Sequence, residues 1–135
     1  MNIQRLNPVS DFAHISRSII PDEWDTLNDL SPLNEKALRD IANNEACYFL
    51  LASINKKIIG TILAVLLLKT DGLKWLYIDK LDVHPNYQHR GIASALMQKI
   101  YTYGRTNGAK EAWLGADTTN DSINFFINHL DRLKH

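Results

Sequence analysis

The sequence contains a single cysteine, four prolines and six glycines among its 135 residues. Cys47 alone cannot form an internal disulfide, and no cysteine pair is available to hold a structural zinc. The five histidines show no HxxxH or HxH spacing, so a metal site of any other kind is not indicated. These absences predict a cytoplasmic protein without a bound metal.

The chain also lacks an excess of charge of either sign. Its 15 Lys and Arg residues balance 15 Asp and Glu residues. Proteins that bind nucleic acid or an anionic membrane carry an excess of basic residues, so neither partner is expected here. The amino terminus has no signal-peptide core, and the longest apolar run, residues 58–68, falls short of the roughly 17–25 residues that span a bilayer.

Internal repeats, low-complexity tracts and flexible linkers are absent as well. A chain of 135 residues with 45% hydrophobic residues can bury one core but not two. We therefore expect one domain, residues 1–135.

The elements can be predicted from periodicity and from the positions of the breakers. A first strand is expected over residues 2–6, a helix from Asn7-Pro8 to Pro21, and a second helix from Ser31-Pro32 to Asn43-Asn44. Residues 47–54, 57–68 and 74–83 are typical of three strands joined by the turns Asn55-Lys56 and Asp71-Gly72. A helix near 92–104, a strand over 111–116 and a last helix after Asn120 or Asp121 complete the order.

This order predicts an α+β fold in which an antiparallel meander continues through a strand-helix-strand crossover. The two strands that flank the crossover helix must run parallel, because a helix returns the chain to the same end of the sheet.

The most informative stretch joins the strand ending at Val83 to the helix after Gly91. Its loop is polar, and Gly91 precedes the first helical turn, whose outward N–H groups and dipole favour an anion. Arg90 adds a guanidinium suited to phosphate oxygens. Neither GxGxxG nor GxxxxGK[ST] occurs, so the dinucleotide fingerprint and the P-loop do not apply, and a solvated loop is the competing interpretation.

The residues from Gln88 to Ala93 resemble the Q/R-x-x-G-x-G/A loop of the GNAT acetyltransferase superfamily. The segment from Leu81 to Pro85 is similar to the L-x-V-x-P strand before that loop, and the segment from Asn120 to Phe126 resembles the N-x-x-A-x-x-F-Y motif. Within the superfamily, the region from Cys47 to Phe126 looks most like the type I aminoglycoside 3-N-acetyltransferases.

The resemblance implies a GNAT fold that binds acetyl-CoA and transfers its acetyl group to a primary amine by direct attack. It implies that backbone groups of Leu81 and Val83 pair with pantetheine and that Asn120 reaches the CoA arm. The pyrophosphate is then held by the amides of the loop and first helical turn, which are those of Gln88, His89, Arg90, Gly91, Ile92, Ala93 and Ser94.

An acceptor ammonium must lose a proton, so a carboxylate near the thioester is expected to take part. Asp79 and Asp82 are the candidates, although solvated strand-end charges explain both equally well. Strict alternation along a strand predicts that they face opposite sides, with Tyr77 beside Asp79 and Lys80 beside Asp82. The aminoglycoside enzymes carry Asp where this chain has Lys80.

The tyrosine that ends the second motif in the family corresponds to Phe126 or Ile127 here, and neither can protonate a thiolate. The sequence therefore leaves three functions open. The leading one is an N-acetyltransferase acting on a small, cationic, aminoglycoside-like amine, and the others are a CoA-binding or regulatory module with little turnover and a protein or peptide N-acetyltransferase.

Charge is unevenly distributed along the chain. Residues 1–45 carry eight acidic and four basic side chains, a net of −4, so residues 46–135 carry +4. An acidic acceptor side and a basic phosphate side suit a cationic amine and CoA, although a random split is the simpler explanation. Few residues follow the last predicted helix, which predicts that the C-terminal strands are missing or shortened and that a homodimer covers the sheet edge.

Overall fold

The described strands of the sheet lie side by side in the same order in which they occur along the chain. In the computed structural model, which describes residues 1–18 and 33–114, five strands are arranged β1-β2-β3-β4-β5. The strands are β1 (Asn2–Arg5), β2 (Cys47–Ile54), β3 (Lys57–Leu68), β4 (Lys74–Val83) and β5 (Ala109–Leu114). The helices are α1 (Phe12–Arg17), α2 (Glu35–Ala42) and α3 (Ile92–Thr106).

The pairing of the strands follows the prediction. The first four strands pair antiparallel in sequence, whereas β4 and β5 pair parallel across the crossover helix α3. The bounds predicted for β2, β3 and β4 are confirmed, because turn residues flank each strand. Asn55 and Lys56 both adopt positive φ, 52° and 67°, as a two-residue hairpin turn requires.

The first two helices begin later than the sequence indicated. Asn7-Pro8 does not start α1; instead the Asp11 side chain accepts the His14 N–H, and the helix starts at Phe12. Likewise Asn34 caps α2 by accepting the Ala37 N–H at 2.9 Å. In both cases a side-chain oxygen that satisfies an N–H of the first turn determined the start. Residues 19–32, which include Pro21 and Ser31-Pro32, lie outside the described residues.

The two faces of the sheet carry separate apolar cores. Successive residues of β2 alternate between them, so that Leu50 and Ala52 pack with α3 while Phe49 and Leu51 pack with α1 and α2. The α3 side contains the residues with the least exposure, among them Leu96, Met97 and Ile100. Helix α3 is therefore fixed to the sheet along its length.

Gly60 allows α3 to approach β3 closely. A Cβ placed on Gly60 would lie 3.1 Å from the Ile92 Cγ2 atom and 3.2 Å from the Leu96 Cδ1 atom. Both contacts are tighter than ordinary van der Waals packing, so a larger residue must push the first turns of α3 outward. Because Gly60 has no side chain, the start of α3 can lie this close to β3.

A β-bulge divides β4 into two halves. Ile78 pairs with Ala64 and Lys80 pairs with Leu63, so Asp79 is an extra residue without a partner in the ladder. The pairs with β5 that the structure describes run from Lys74 to Ile78, whose partner Leu114 is the last residue described. We refer to residues 74–78 as the lower half of β4 and to residues 79–83 as the upper half.

The bulge corrects one prediction about the faces of β4. Tyr77 pairs with Val65, Lys80 with Leu63 and Asp82 with Thr61. These three β3 residues occupy every second position of the strand and therefore lie on one face. Tyr77 and Asp82 therefore share a face, whereas uninterrupted alternation predicted opposite faces. That face is the one packed by α1 and α2, because Leu63 packs against their core.

Aromatic side chains at the sheet ends serve packing. Tyr101 is 1% exposed, and Tyr103 stacks on Tyr48 with ring centroids 4.0 Å apart. The Arg5 guanidinium lies 4.4 Å from the centroid of the Tyr48 ring. In the lower half of β4, Trp75 stacks on Trp113 of β5 at 5.1 Å.

No helix among residues 1–18 and 33–114 is long and apolar enough to cross a membrane. The predicted last helix and the question of missing C-terminal strands concern residues 115–135, which lie outside the described residues.

Candidate functional site

The segment that joins β4 to α3 has an irregular but well-defined backbone. Residues 84–91, here called the β4–α3 loop, include a 3₁₀ turn at Pro85–Tyr87. His89 and Gly91 then adopt left-handed φ values of 61° and 83°. Left-handed conformations close to one another turn backbone N–H groups toward a common concavity, which is a geometry that binds anions.

Gly91 is the N-cap of α3. A Cβ on Gly91 would meet nothing within 4 Å, so its positive φ, rather than crowding, favours glycine at this position. No described side chain caps the helix, and its first N–H groups have no acceptor within the helix itself. The start of α3 thus presents N–H donors and the positive end of the helix dipole to an incoming anion.

Hydrogen bonds attach the loop to the end of β4. The Gln88 Nε2 atom donates to the Val83 carbonyl oxygen at 3.2 Å. The Tyr87 N–H donates to the His84 carbonyl at 2.8 Å, and the Asn86 N–H donates to His84 Nδ1 at 3.1 Å. The loop is therefore ordered by its own residues before any ligand is present.

Arg90 supplies the positive side chain of the loop. Its guanidinium carbon lies 5.1 Å from the centroid of the Tyr87 ring, and Arg90 is exposed to solvent. The cation–π contact restrains the side chain without neutralising its charge. The guanidinium can therefore supply forked donors to phosphate oxygens next to the helix start.

The upper half of β4 leads directly into this loop. Leu81 pairs with Ile62, and Val83 pairs with Gly60, so β3 holds one edge of this half. Leu81 is buried under α3, and Val83 is half-buried. What lies beside the opposite edge of the upper half concerns residues after Leu114, which are outside the described residues.

The two candidate carboxylates have different surroundings. Asp82 is half-buried and lies opposite the buried Thr61 on the face of α1 and α2. Asp79 is exposed at the bulge. Asp82 is therefore the carboxylate held in a defined position beside the upper half of β4.

The structure brings together most of the residues that the sequence singled out. Asp79, Asp82, Leu81, Val83 and the residues from Gln88 to Ser94 lie on one continuous path from the bulge to the first turn of α3. Asn120 lies outside the described residues. Among those described, no group of three or more His, Cys, Asp or Glu side chains is placed to hold a metal ion.

His84 and Thr61 are the site residues that sequence reasoning missed. They are the two buried polar side chains among the described residues, with exposures of 5% and 6%. Thr61 has no signal in the sequence beyond its place in an apolar strand. His84 has one, because a polar residue placed between a strand and a proline is suited to capping the turn that follows.

The loop offers N–H donors at the start of α3 and the Arg90 guanidinium to an anion such as a phosphate. The upper half of β4 directly precedes this loop in the chain.

Comparison with known proteins gives one family and many similar folds. The family model described as acetyltransferase (GNAT) family matches residues 12–129. No curated protein matches the chain significantly. Among solved structures, 353 chains match significantly, and those named below share at most 22% identity, so they show the fold alone.

Three of these structures illustrate the range of functions on this fold. An aminoglycoside acetyltransferase, meta-AAC0020, from an uncultured soil metagenomic sample, solved with sisomicin, has a TM-score of 0.73 and 22% identity over 96% of this chain and 86% of its own. A ribosomal-protein-alanine N-acetyltransferase from Brucella melitensis biovar Abortus 2308 has a TM-score of 0.67 and 17% identity over 95% of this chain and 90% of its own. A transcriptional regulator from Bacillus halodurans C-125 has a TM-score of 0.71 and 16% identity over 96% of this chain and 91% of its own.

Proposed function

Because this chain belongs to the GNAT family of acetyltransferases, we propose that it transfers the acetyl group of acetyl-CoA to a primary amine of a small cationic molecule. The observation that carries the proposal is the β4–α3 loop, in which left-handed His89 and Gly91 precede a helix start without a side-chain cap. The loop directly follows the upper half of β4, whose backbone is proposed to pair with pantetheine.

Each part of acetyl-CoA has a counterpart in the proposed site. The amides from Gln88 to Ser94 and the Arg90 side chain hold the pyrophosphate, and backbone groups of Leu81 and Val83 hold the pantetheine arm. A strand N–H in the upper half of β4 stabilises the charge that develops on the acyl oxygen. The co-substrate supplies an acyl group already activated as a thioester.

Asp82 is the proposed proton acceptor. Its half-buried carboxylate lies on the face of the sheet that α1 and α2 cover, opposite Thr61. From this position it can take a proton from an acceptor ammonium, directly or through one water. Asp79, the other candidate, contributes the extra residue that forms the bulge.

Direct transfer also agrees with the state of the single cysteine. Burial raises the pKa of the Cys47 thiol, which keeps it protonated and poorly nucleophilic. Cys47 lies in β2 opposite Val65, two strands away from β4. An acyl-cysteine intermediate is therefore no part of the proposal, and the reduced thiol suits the proposed cytoplasmic location.

The amine acceptor is proposed from charge and from similar folds together. Residues 1–45 carry the excess of acidic side chains, which comes from Asp22, Glu23, Asp25 and Asp29. These four residues lie outside the described residues, and α1 and α2 themselves carry no acidic excess. A cationic acceptor is attracted to an acidic segment of this kind. The sisomicin-bound relative shows that this fold can serve a polycationic amine in another protein.

A panel of acceptors tests the proposal. We expect release of CoA thiol with acetyl-CoA and at least one polycationic amine, such as an aminoglycoside or a polyamine, and little release with neutral peptides. Release with a peptide amino terminus alone would instead favour a protein N-acetyltransferase. Tight CoA binding without thiol release for any amine would favour the CoA-binding or regulatory module.

Arg90→Glu tests the phosphate end of the site separately. Replacing a guanidinium by a carboxylate puts like charge beside the pyrophosphate, so CoA affinity is expected to fall by at least about 100-fold. Arg105→Glu, at the opposite end of α3, makes the same change of charge and serves as the control. Equal CoA affinity of the Arg90 variant and the wild type would show that the loop does not bind the pyrophosphate.

A further inference from the structure

His84 is a buried imidazole located between the two parts of the proposed CoA site. It follows the last residue of β4 and is 5% exposed. Its backbone N–H donates to the Ile59 carbonyl at 2.8 Å, which fixes the residue to β3. The side chain thus has a fixed position, and the β4–α3 loop starts from it.

A chain of contacts connects the His84 ring to Arg90, which is proposed to bind the CoA phosphates. The Nδ1 atom accepts the Asn86 N–H at 3.1 Å, and the ring meets Tyr87 edge to face at 5.5 Å and 81°. Tyr87 in turn carries the Arg90 guanidinium over its ring at 5.1 Å. A displacement of the imidazole would therefore move the 3₁₀ turn and the platform under Arg90 together.

The contact with Asn86 requires a neutral imidazole. An Nδ1 atom that accepts a hydrogen bond has an available lone pair, so the ring proton is on Nε2. Once Nδ1 is protonated, it becomes a donor and faces the N–H of Asn86, which is also a donor. The bond is then lost, and the two N–H groups repel each other.

We propose that His84 is a positioning residue of the CoA site, whose ring accepts the Asn86 N–H and supports Tyr87, and so holds the β4–α3 loop in its phosphate-binding form. The inference rests on the proposed function, since it assigns a positioning residue to the same CoA site. It predicts that CoA binding weakens when the acceptor at this position is removed.

Two variants separate the hydrogen bond from the bulk of the ring. His84→Asn keeps an acceptor, because an Asn Oδ1 atom can accept the N–H two residues ahead and does not titrate. His84→Phe keeps a ring against Tyr87 but removes the acceptor. Both leave Arg90, His89 and the start of α3 unchanged.

The experiment is a calorimetric titration with CoA at pH 8. We expect His84→Asn to bind within about threefold of the wild type and His84→Phe to bind about tenfold more weakly.

Two results would overturn the inference. One is wild-type affinity of a folded His84→Phe variant, and the other is a folded His84→Asn variant that binds as weakly as His84→Phe. Hydrogen exchange of the Asn86 amide, measured without CoA, keeps this test separate from the proposed function. We expect faster exchange in His84→Phe than in His84→Asn, and equal exchange would also refute the role of His84. A wild type that binds no CoA would overturn the proposed function instead.

Discussion

The two halves of β4 have the same secondary structure and different surroundings. The lower half is paired with β3 on one side and β5 on the other, and Leu76 and Ile78 within it are completely buried. The upper half follows the bulge at Asp79, is polar on the face of α1 and α2, and leads into the β4–α3 loop. A single extra residue thus separates two halves of one strand, of which only the upper one leads into the proposed site.

Deletion of Asp79 should abolish this difference and have the largest effect. Lys80 would then follow Ile78 directly, opposite the neighbouring residues Leu63 and Ala64, so every recorded pair of β3 with β4 is kept. We expect acetyl transfer to fall by at least about 100-fold, because removing the bulge changes the local twist of β4 and reorients the upper half and its loop together relative to the lower half. Thermal unfolding should show a midpoint no lower than that of the wild type.

Asp79→Ala is the control for the deletion, since it keeps the bulge and removes only the carboxylate. This variant should retain most of its activity. A loss as large as that of the deletion would assign the effect to the Asp79 carboxylate and not to the geometry of the strand.

Asp82→Asn should have the next largest effect within the upper half. The amide is nearly isosteric but cannot accept the proton of an ammonium, so kcat is expected to fall by about 100-fold at neutral pH. CoA affinity should be unchanged. Partial recovery of the rate at higher pH, where the acceptor amine loses its proton to solvent, is the kinetic signature to measure; an unchanged kcat would exclude Asp82 as the base.

Gly91→Ala and Gly72→Ala compare the glycine of the β4–α3 loop, which follows the upper half of β4, with the glycine of the turn that precedes the lower half. Both glycines have nearly the same φ, 83° and 86°, and a Cβ on either meets nothing within 4 Å. Each variant should therefore lose about 1 kcal/mol of unfolding free energy, from backbone strain alone. Only Gly91→Ala should weaken CoA binding, by about tenfold, because its backbone borders the phosphate. Equal CoA affinities for the two variants would contradict this assignment.

Tyr103 should produce the smallest effect, since it lies at the far end of α3. Burial raises the pKa of its hydroxyl above the usual value, and this outweighs the opposing effect of the Arg5 charge. Folding therefore favours the neutral phenol, and this stabilisation is complete below about pH 10 and is lost as the pH rises through the pKa of the folded state. Tyr103→Phe should unfold with a weaker dependence on pH above 10, with CoA affinity unchanged; the same alkaline dependence in both proteins would contradict this.

Much of this fold could be predicted from the sequence. The bounds of β2, β3 and β4 were correct, because strand formers are enclosed by residues that favour turns, and the parallel pairing of β5 followed from the crossover helix. The GNAT family and the acetyltransferase class, predicted from the Gln88 to Ala93 loop, are confirmed by the family model. The starts of α1 and α2 were wrong because an Asn-Pro or Ser-Pro pair resembles a helix start even where a later Asp11 or Asn34 provides the cap.

The details of the site were harder to predict. The bulge gives only a weak signal, namely that the buried residues Ile78 and Leu81 are three apart where alternation requires an even spacing. The role of His84 depends on a hydrogen bond to a residue two positions ahead and on burial beneath the loop, neither of which a residue pattern reports. The functions of Asp79, Asp82 and the residues from Gln88 to Ser94 remain predictions that the variants above test.

The order β1-β2-β3-β4-β5 has a consequence for biosynthesis. Among residues 1–18 and 33–114, each strand pairs with the strand that precedes it in the chain, so each of β2 to β5 can add to an edge already formed as it leaves the ribosome. None of these five strands must wait for another of them to be inserted between it and its predecessor. The upper half of β4 and its loop are synthesised after the meander that supports them, so the proposed site can form on a sheet that has already folded.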